Sequence, residues 1–402
     1  MYKRENYLNK LLAFKDQREI IKVITGIRRC GKSSLMKLLQ MELLEEGISK
    51  DNIIHINFED MKYDEIDDYK KLNSYIESLI TNKNNYYLLL DEVQNIEKWE
   101  KVINSLRLQG NIDIYITGSN AYLLSSELST LLSGRYVELK MLPLSFKEFV
   151  EFNNYDENKD KEKYFDEYLK IGGFPGISLV KNNEDIIDSY LSGILNTVIV
   201  KDVVQRNDVR DVSLLENLIK FLTDNIGNPL SIKKISDYLT SAGRKTSSET
   251  IDNYIKMLES AYIFYKAKRY DIKGKLYLKT LEKFYLVDAG LRQILLKKGY
   301  YDYGHIIENI VYFELLNRGY EVSIGKIGSL EVDFIAEKSN EKIYYQVSTT
   351  LKEEKTFQRE ISPFESIKDH HKKVILTMDN VIDNNYKGII IQNILEFLLL
   401  RR

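Results

Sequence analysis

The chain has 402 residues, which is more than one hydrophobic core usually supports, so its length predicts several domains. Its 58 Lys and Arg against 60 Asp and Glu give a net charge of −2, which excludes a polycation that binds nucleic acid through bulk charge. The single cysteine excludes an internal disulfide and a cysteine-based zinc site. The N-terminus lacks the apolar core of a secretory signal, and the apolar stretch 388–400 is too short to span a bilayer. We therefore expect a cytoplasmic protein without membrane contact.

Five short apolar runs alternate with helical patterns in the first third of the chain. Unbroken runs of β-forming residues with helices between them are typical of a parallel sheet that is buried on both faces. The pattern predicts an α/β domain over residues 1–145. The runs are 20–27, 52–58, 86–93, 112–119 and 136–142.

A phosphate-loop motif follows the first run and opens a predicted helix. The sequence GIRRCGKS at 26–33 matches G-x-x-x-x-G-K-[ST], in which glycines let backbone N–H groups wrap phosphates. The Lys32 ammonium would meet the β- and γ-phosphates, and the Ser33 hydroxyl would bind magnesium. The predicted nucleotide-binding residues are Gly26, Ile27, Arg28, Arg29, Cys30, Gly31, Lys32, Ser33 and Ser34.

Polar residues end the third and fourth runs. Asp91 and Glu92 end the apolar stretch 86–90 of the third run, where one carboxylate can hold magnesium and a second can polarise the attacking water. We predict Asp91 as a magnesium ligand beside Ser33, and Glu92 as the catalytic base; the alternative for the aspartate is a helix N-cap. The fourth run ends in Ser119 and Asn120, either of which would sense the γ-phosphate or hold the water. The alternative there is an ordinary strand-to-helix turn.

The rest of the chain divides into three predicted parts. Residues 146–213 form a helical region, interrupted by a turn at the sequence GGFP, 172–175. Residues 214–290 give helix, turn, helix and two strand-like runs, which is the order of a winged helix. Residues 291–402 give a helix, three strands, a helix and a strand.

These motifs together resemble the prokaryotic AAA+ superfamily proteins whose ATPase core precedes a conserved C-terminal domain of unknown function. The resemblance implies a parallel sheet of strand order 5-1-4-3-2, binding of ATP and Mg²⁺, slow hydrolysis and self-association into a homo-oligomer. The segments that carry it are GIRRCGKSSL at 26–35, INFED at 56–60, LLLDEVQ at 88–94, residues 115–149 and GGFP.

The same resemblance makes Arg135, in LSGRY, the candidate arginine finger. A guanidinium stabilises the charge that develops on a transferred phosphoryl group, and it would act from a neighbouring subunit or domain. The alternative is a surface arginine that pairs with Glu138. For Arg28 and Arg29 two interpretations stay open, a contact with phosphate or an ion pair with an acidic partner.

The winged-helix region is locally basic. Between Asn225 and Tyr285 there are twelve Lys and Arg and six Asp and Glu. Lysines near the turn and on the hairpin suit phosphate contacts, so DNA is a candidate partner. The alternative is a module that serves only as a packing surface. The basic residues include Lys233, Lys234, Arg244, Lys245, Lys266, Lys268 and Arg269.

The tail is similar to PD-(D/E)xK nucleases, an α/β restriction-endonuclease-like fold. Glu308 on its first helix and Asp333 on its second strand match the metal-binding acids. Gln346 stands where a third acid is usual, and Ser348 stands where a lysine is usual. A hydroxyl cannot stabilise developing charge as an ammonium does. We therefore expect a degenerate domain that docks a protein partner and does not cut DNA.

Three hypotheses follow from the sequence. The first is an ATP-driven switch or remodelling ATPase that acts on a nucleic acid or a protein. The second is a nuclease gated by ATP, which Gln346 and Ser348 disfavour. The third is a nucleotide-responsive binding module of a defence or toxin–antitoxin system, which would have no need of Glu92.

Overall fold

A computed structural model describes residues 2–119, 132, 134–180, 183–296, 303–380 and 385–400. The chain forms two compact units. Unit 1 comprises Met1–Met141 with Ser260–Tyr262, and unit 2 comprises Leu142–Glu259 with Ile263–Arg402.

Unit 1 is built on a five-stranded parallel sheet in the order β2-β3-β4-β1-β5. This is the predicted order, 5-1-4-3-2 read from the other edge, and the prediction is confirmed. The central strands are largely apolar, because helices cover both faces, and every residue of β1, β3 and β4 is buried, including Lys22 and Asp113, which form an ion pair. The strands are β1 (Ile21–Thr25), β2 (Ile53–Asn57), β3 (Tyr86–Asp91), β4 (Ile112–Gly118) and β5 (Tyr136–Lys140).

The helices of unit 1 are amphipathic and bury one face each. In α4, Trp99, Val102, Ile103 and Leu106 are buried, as their spacing predicts. Their side chains join the strand residues in one hydrophobic core. The described helices are α1 (Glu5–Ala13), α2 (Lys32–Glu45), α3 (Tyr69–Leu79) and α4 (Trp99–Arg107).

Unit 2 begins with a helical region that contains the predicted GGFP turn. Gly172 has φ +76, and a Cβ there would lie 2.1 Å from Oδ1 of Asp288. The Asp288 carboxylate accepts hydrogen bonds from the backbone N–H groups of Gly173 (2.6 Å) and Gly290 (2.9 Å). The paired glycines are therefore needed for the close approach of this buried acid as well as for the turn.

The two predicted helices of the tail form at Tyr303–Asn317 and Glu354–Ser366, and a further helix, Ile394–Leu399, was not predicted. Helix α7 continues as a π-helical stretch, Val198–Gln205. The helices are α5 (Phe146–Phe152), α6 (Lys161–Ile171), α7 (Glu184–Thr197), α8 (Val212–Asp224), α9 (Ile232–Ser241), α10 (Ser248–Ser260), α11 (Ala289–Leu296), α12 (Tyr303–Asn317), α13 (Glu354–Ser366) and α14 (Ile394–Leu399).

The strands of unit 2 form one sheet of eight, in the order β12-β13-β11-β10-β9-β8-β6-β7. The predicted hairpin is β6–β7, and the three predicted tail strands are β8, β9 and β10. The strands are β6 (Phe264–Asp271), β7 (Leu276–Leu286), β8 (Glu321–Ile327), β9 (Leu330–Lys338), β10 (Glu341–Ser348), β11 (Lys372–Thr377), β12 (Asn385–Tyr386) and β13 (Ile389–Asn393).

The hairpin lies within this sheet. Strand β6 pairs with β7 on one side and, through Arg269 to Asp271, in parallel with β8 on the other. The Arg269 side chain is only 9% exposed, whereas its neighbour Lys268, on the opposite face of the sheet, is exposed. The expectation that Arg269 is available for phosphate contacts is wrong, because its side chain lies on the covered face. The assignment of this region as a winged helix stays a prediction.

Candidate functional site

The phosphate loop connects β1 to α2, as the motif requires. Gly26 has φ +142, and a Cβ at this position would lie 2.1 Å from the carbonyl oxygen of Met141, so only glycine fits. Within the described chain, no side-chain cap accepts a hydrogen bond at the N-terminus of α2, which begins at Lys32. Uncapped N–H groups and the helix dipole favour an anion at this position.

Lys32 is buried and lies over the loop. Its Nζ donates hydrogen bonds to the carbonyl oxygens of Gly26 (3.0 Å) and Ile27 (3.3 Å). The same Nζ is 3.6 Å from Oε1 of Glu92, which lies just beyond β3. The loop and the end of β3 therefore meet at one point, where the sequence placed the phosphates and the catalytic carboxylate.

Glu92 is 6% exposed and has φ +56, in the left-handed region. Burial acts to raise its pKa, but the charge of Lys32 and a hydrogen bond from Gln94 outweigh burial and hold that pKa below its ordinary value. The side chain is therefore a carboxylate at neutral pH, as a group that polarises water must be.

Asp91 is held by a residue that the sequence did not single out. The hydroxyl of Thr117, on β4, donates a hydrogen bond to Oδ1 of Asp91 and accepts one from the backbone N–H of Glu92 (3.0 Å). One threonine thus fixes both acids relative to β4. Its signal was its place before Gly118 at the end of the strand next to β3.

Ser119 is fully buried directly after β4, and its Oγ lies 3.4 Å from Nε2 of Gln94. The same amide donates to Oε2 of Glu92. Of the two alternatives for the sensing residue, the structure brings Ser119 into contact with this cluster. Asn120 lies outside the described residues.

The residues fit ATP with Mg²⁺. The loop offers an ammonium and free helical N–H groups, while Ser33 and Asp91 offer oxygen atoms of the kind that Mg²⁺ prefers. Across the described ranges, no group of three or more His, Cys, Asp or Glu side chains could hold a metal alone. Magnesium in proteins is usually bound by one or two carboxylates together with substrate phosphates and water, and Ser33 and Asp91 fit such a site.

The two arginines of the phosphate loop differ in their surroundings. Arg28 pairs with Glu59 at 3.1 Å, with its side chain 15% exposed, which supports the acidic-partner alternative. Arg29 is exposed and has φ +66.

Arg135 does not pair with Glu138. It is 3.7 Å from Glu19, while Glu138 accepts a hydrogen bond from the Thr25 hydroxyl (2.5 Å). Arg135 precedes β5, whose first residue is paired with the start of β1. The phosphate loop leaves the other end of β1, about 16 Å away for a five-residue strand. Arg135 thus lies at the amino-terminal ends of the strands, whereas the nucleotide site of unit 1 lies at their carboxyl ends.

A second cluster of charged residues lies in unit 2. It surrounds a cavity of about 450 Å³ whose walls include Glu308, Asp333 and Gln346. Asp333 accepts a hydrogen bond from the Val347 N–H (2.8 Å), and its own N–H donates to Oε1 of Gln346 (3.3 Å). Ser348 is turned to the carbonyl oxygen of Thr350 (3.0 Å) and does not line this cavity.

The cavity holds an ammonium that sequence reasoning missed. Lys283 of β7 is 3% exposed, and its Nζ is 3.0 Å from Glu308 and 2.8 Å from Glu331. Burial acts to lower its pKa, but the surrounding carboxylates hold that pKa above its ordinary value. Burial, then the charge of Glu308, raise the pKa of Asp333 well above its ordinary value.

The basic residues of the predicted winged helix differ in exposure. Lys266 lies between Glu259 (3.7 Å) and Glu282 (3.6 Å), so its charge is already balanced. Of the basic residues named from the sequence, those with exposed side chains are Lys233, Lys234, Arg244, Lys245 and Lys268.

A parallel 2-3-4-1-5 sheet, with a phosphate loop after β1 and paired acids after β3, defines a P-loop nucleotide-binding domain of the AAA type. Residues 18–150 match the family described as AAA domain, and residues 162–301 match a domain of unknown function, DUF8612.

Two relatives match this chain over almost its whole length. An "Uncharacterized protein" of Haemophilus influenzae is 44% identical over 401 residues, 99% of each chain. One of Methanocaldococcus jannaschii is 33% identical over 395 residues, 94% of this chain and 84% of the relative. This chain belongs to the same family of AAA-domain proteins.

Solved structures are more distant. The Aeropyrum pernix ORC1 protein in complex with DNA is 12% identical and covers 74% of this chain and 93% of its own, with a TM-score of 0.33. A TM-score of that size carries no functional argument.

Proposed function

We propose that the protein is a magnesium-dependent ATPase that uses ATP hydrolysis to switch or remodel a nucleic-acid or protein partner. The observation that carries this proposal is the contact of Lys32 with Glu92, 3.6 Å apart in a buried site. Phosphate binding by itself would explain the presence of Lys32 but not that of Glu92. Burial of a carboxylate is costly, so the presence of Glu92 beside the loop supports turnover over simple binding.

Each residue has a separate part in the proposed reaction. The loop N–H groups and Lys32 hold the β- and γ-phosphates, and Ser33 and Asp91 hold magnesium, which would neutralise phosphate charge. Glu92 orients and polarises the attacking water. Ser119 or Asn120 senses the γ-phosphate.

Two substitutions test the proposal. Lys32→Ala should weaken or abolish binding of magnesium-ATP in calorimetry, because the phosphates lose their ammonium partner. Lys37→Ala, on the exposed side of the same helix, is the matched control and should bind normally. Glu92→Gln should bind ATP and hydrolyse it on the order of 100-fold more slowly or worse. Unchanged affinity in a folded Lys32→Ala protein would refute the loop assignment.

We further propose self-association in which Arg135 serves the nucleotide of another subunit. The Arg135 side chain is 52% exposed and lies at the end of the strands away from the phosphate loop. This position supports action between subunits over action on the nucleotide of its own unit.

The winged-helix proposal is kept for residues 214–290, with 146–213 as a helical region before it and 291–402 as the tail. DNA would contact exposed lysines on and after α9, such as Lys233, Lys234 and Lys245. Arg269 has no part in this proposal. None of the described helices is both long and apolar enough to cross a membrane.

A nuclease gated by ATP is the second candidate, and Lys283 is the observation that favours it. The cavity has an ammonium beside its acids after all, supplied by β7 and not by position 348. We nevertheless propose that the tail docks a partner and does not cut DNA, because Lys283 already neutralises Glu308 and Glu331 and so competes with a metal ion.

DNA cleavage assays separate these two proposals. Plasmid, linear and single-stranded DNA should stay intact in Mg²⁺ or Mn²⁺, with and without ATP. Cleavage that disappears in Asp333→Ala and persists in Lys32→Ala would establish the nuclease instead.

A further inference from the structure

Gln94 occupies a place in the nucleotide site that neither the motifs nor the proposed mechanism explains. It lies two residues after Glu92, in the short 3-10 turn Val93–Asn95. The left-handed backbone at Glu92 turns the chain sharply here. The side chains of Glu92 and Gln94 thereby come into contact.

The Gln94 amide joins two strands of the site. Its Nε2 donates to Oε2 of Glu92, at the end of β3, and lies 3.4 Å from Oγ of Ser119, at the end of β4. These are the residues expected to polarise water and to sense the γ-phosphate. Gln94 therefore touches both residues.

The other end of the amide indicates that this orientation is strongly determined. Oε1 of Gln94 is buried and, within the described part of the chain, has no hydrogen-bond partner. An unsatisfied buried acceptor is costly. A flipped amide would instead bring Oε1 against the carboxylate of Glu92, which is repulsive. The contact with Glu92 thus holds the amide in place despite that cost.

Binding of phosphates changes what holds Glu92. In the structure, Oε1 of Glu92 is 3.6 Å from Lys32. Lys32 must turn to the β- and γ-phosphates when nucleotide binds, so Glu92 loses much of that attraction. The contact from Gln94 does not depend on the phosphates and can persist.

We propose that Gln94 is a positioning residue for ATP hydrolysis, which fixes the Glu92 carboxylate against the tip of β4 once Lys32 has engaged the nucleotide. The inference rests on the proposed ATPase function. Misplacement of a reacting group by about 1 Å can cost on the order of 100-fold in rate, so the expected loss is about 10- to 100-fold in kcat.

The test compares two substitutions with a control. Gln94→Met keeps the approximate length and removes the donor, whereas Gln94→Glu keeps the shape and places a like charge beside Glu92. Gln94→Met should bind ATP with unchanged affinity in calorimetry, keep KM and lose kcat. Gln94→Glu should lose at least as much kcat. Gln109→Met, at an exposed glutamine of the same unit, should retain full activity.

A double substitution separates positioning from a general structural role. A residue that acts through Glu92 has nothing left to position in a Glu92→Gln protein, so adding Gln94→Met should cause little further loss. The same fold-loss in both backgrounds would overturn the inference, as would a Gln94→Met protein with normal or increased kcat. So would loss of ATP affinity in both Gln94 variants.

The outcomes also distinguish this inference from the function on which it rests. Turnover that requires Lys32 and Glu92 but not Gln94 would overturn the inference alone. Absence of ATP turnover in the unaltered protein would overturn both.

Discussion

Replacing Lys283 by Met should destabilise unit 2 more than any exposed lysine substitution. Lys283 is 3% exposed and pairs with Glu308 at 3.0 Å and Glu331 at 2.8 Å. Met fills similar space without charge, so Glu308 would stay buried with the Tyr285 hydroxyl (2.7 Å) but without its ammonium. Removing one partner of a buried ion pair costs about 3–5 kcal/mol.

The assay is urea unfolding followed by circular dichroism. With a slope of about 2–3 kcal/mol per molar urea, the midpoint of unit 2 should fall by about 1–2 M. Lys268→Met, at an exposed lysine of the same hairpin, is the matched control and should change stability by less than about 0.5 kcal/mol. Trp99, the single tryptophan of the chain, reports on unit 1 separately.

A second substitution identifies the cause. Lys283→Met with Glu308→Gln removes the buried unpaired charge and leaves only the partly exposed Glu331 without its ammonium. The Gln carbonyl can still accept from Tyr285, so part of the lost stability should return. Equal midpoints for Lys283→Met and Lys268→Met would refute the argument. A double variant less stable than Lys283→Met alone would do so as well.

Three further results are expected. Burial raises the pKa of Asp288 to about 6, against backbone hydrogen bonds that lower it, from an ordinary 3.8. As pH falls, Asp288 is therefore protonated in the folded state before it is protonated in the unfolded state, and this group adds about 1.4 kcal/mol of stability between about pH 7.5 and pH 5. Asp288→Asn should abolish that gain in pH-dependent unfolding curves. Arg135→Ala should leave ATP binding intact and slow hydrolysis, and specific activity of the unaltered protein should rise with concentration; constant activity on dilution would contradict action between subunits. If the predicted winged helix binds DNA, affinity should fall steeply with salt and Lys233, Lys234 and Lys245 changed to Glu should weaken it for all sequences alike, whereas no binding in dilute salt would leave a packing surface.

The nucleotide site could be predicted because its signals are local. The glycines, Lys32 and the two acids after β3 each lie at the end of an apolar strand. In a parallel sheet, the carboxyl ends of neighbouring strands lie on one edge. Knowing the strands and their ends was therefore enough to expect Lys32 close to Glu92, and the two side chains are 3.6 Å apart. Their roles stay a prediction.

Lys283 and Gln94 could not be found in this way. The position of Lys283 depends on parallel pairing of β6 with β8, more than 50 residues apart in sequence, and no local pattern specifies that pairing. The contact of Gln94 depends on the left-handed backbone at Glu92, a conformation that a glutamate rarely adopts and that its sequence neighbours do not indicate.

The shared sheet of unit 2 also sets where the protein can be shortened. A tail cut at residue 291 would leave β8 with an unpaired edge where β6 now lies, and such an edge invites aggregation. The same cut would leave the buried Glu308 carboxylate without its Lys283 partner. It would also remove the backbone of Leu286, which exchanges two hydrogen bonds with the Asn309 amide. A soluble C-terminal fragment should therefore begin before β6, near residue 263.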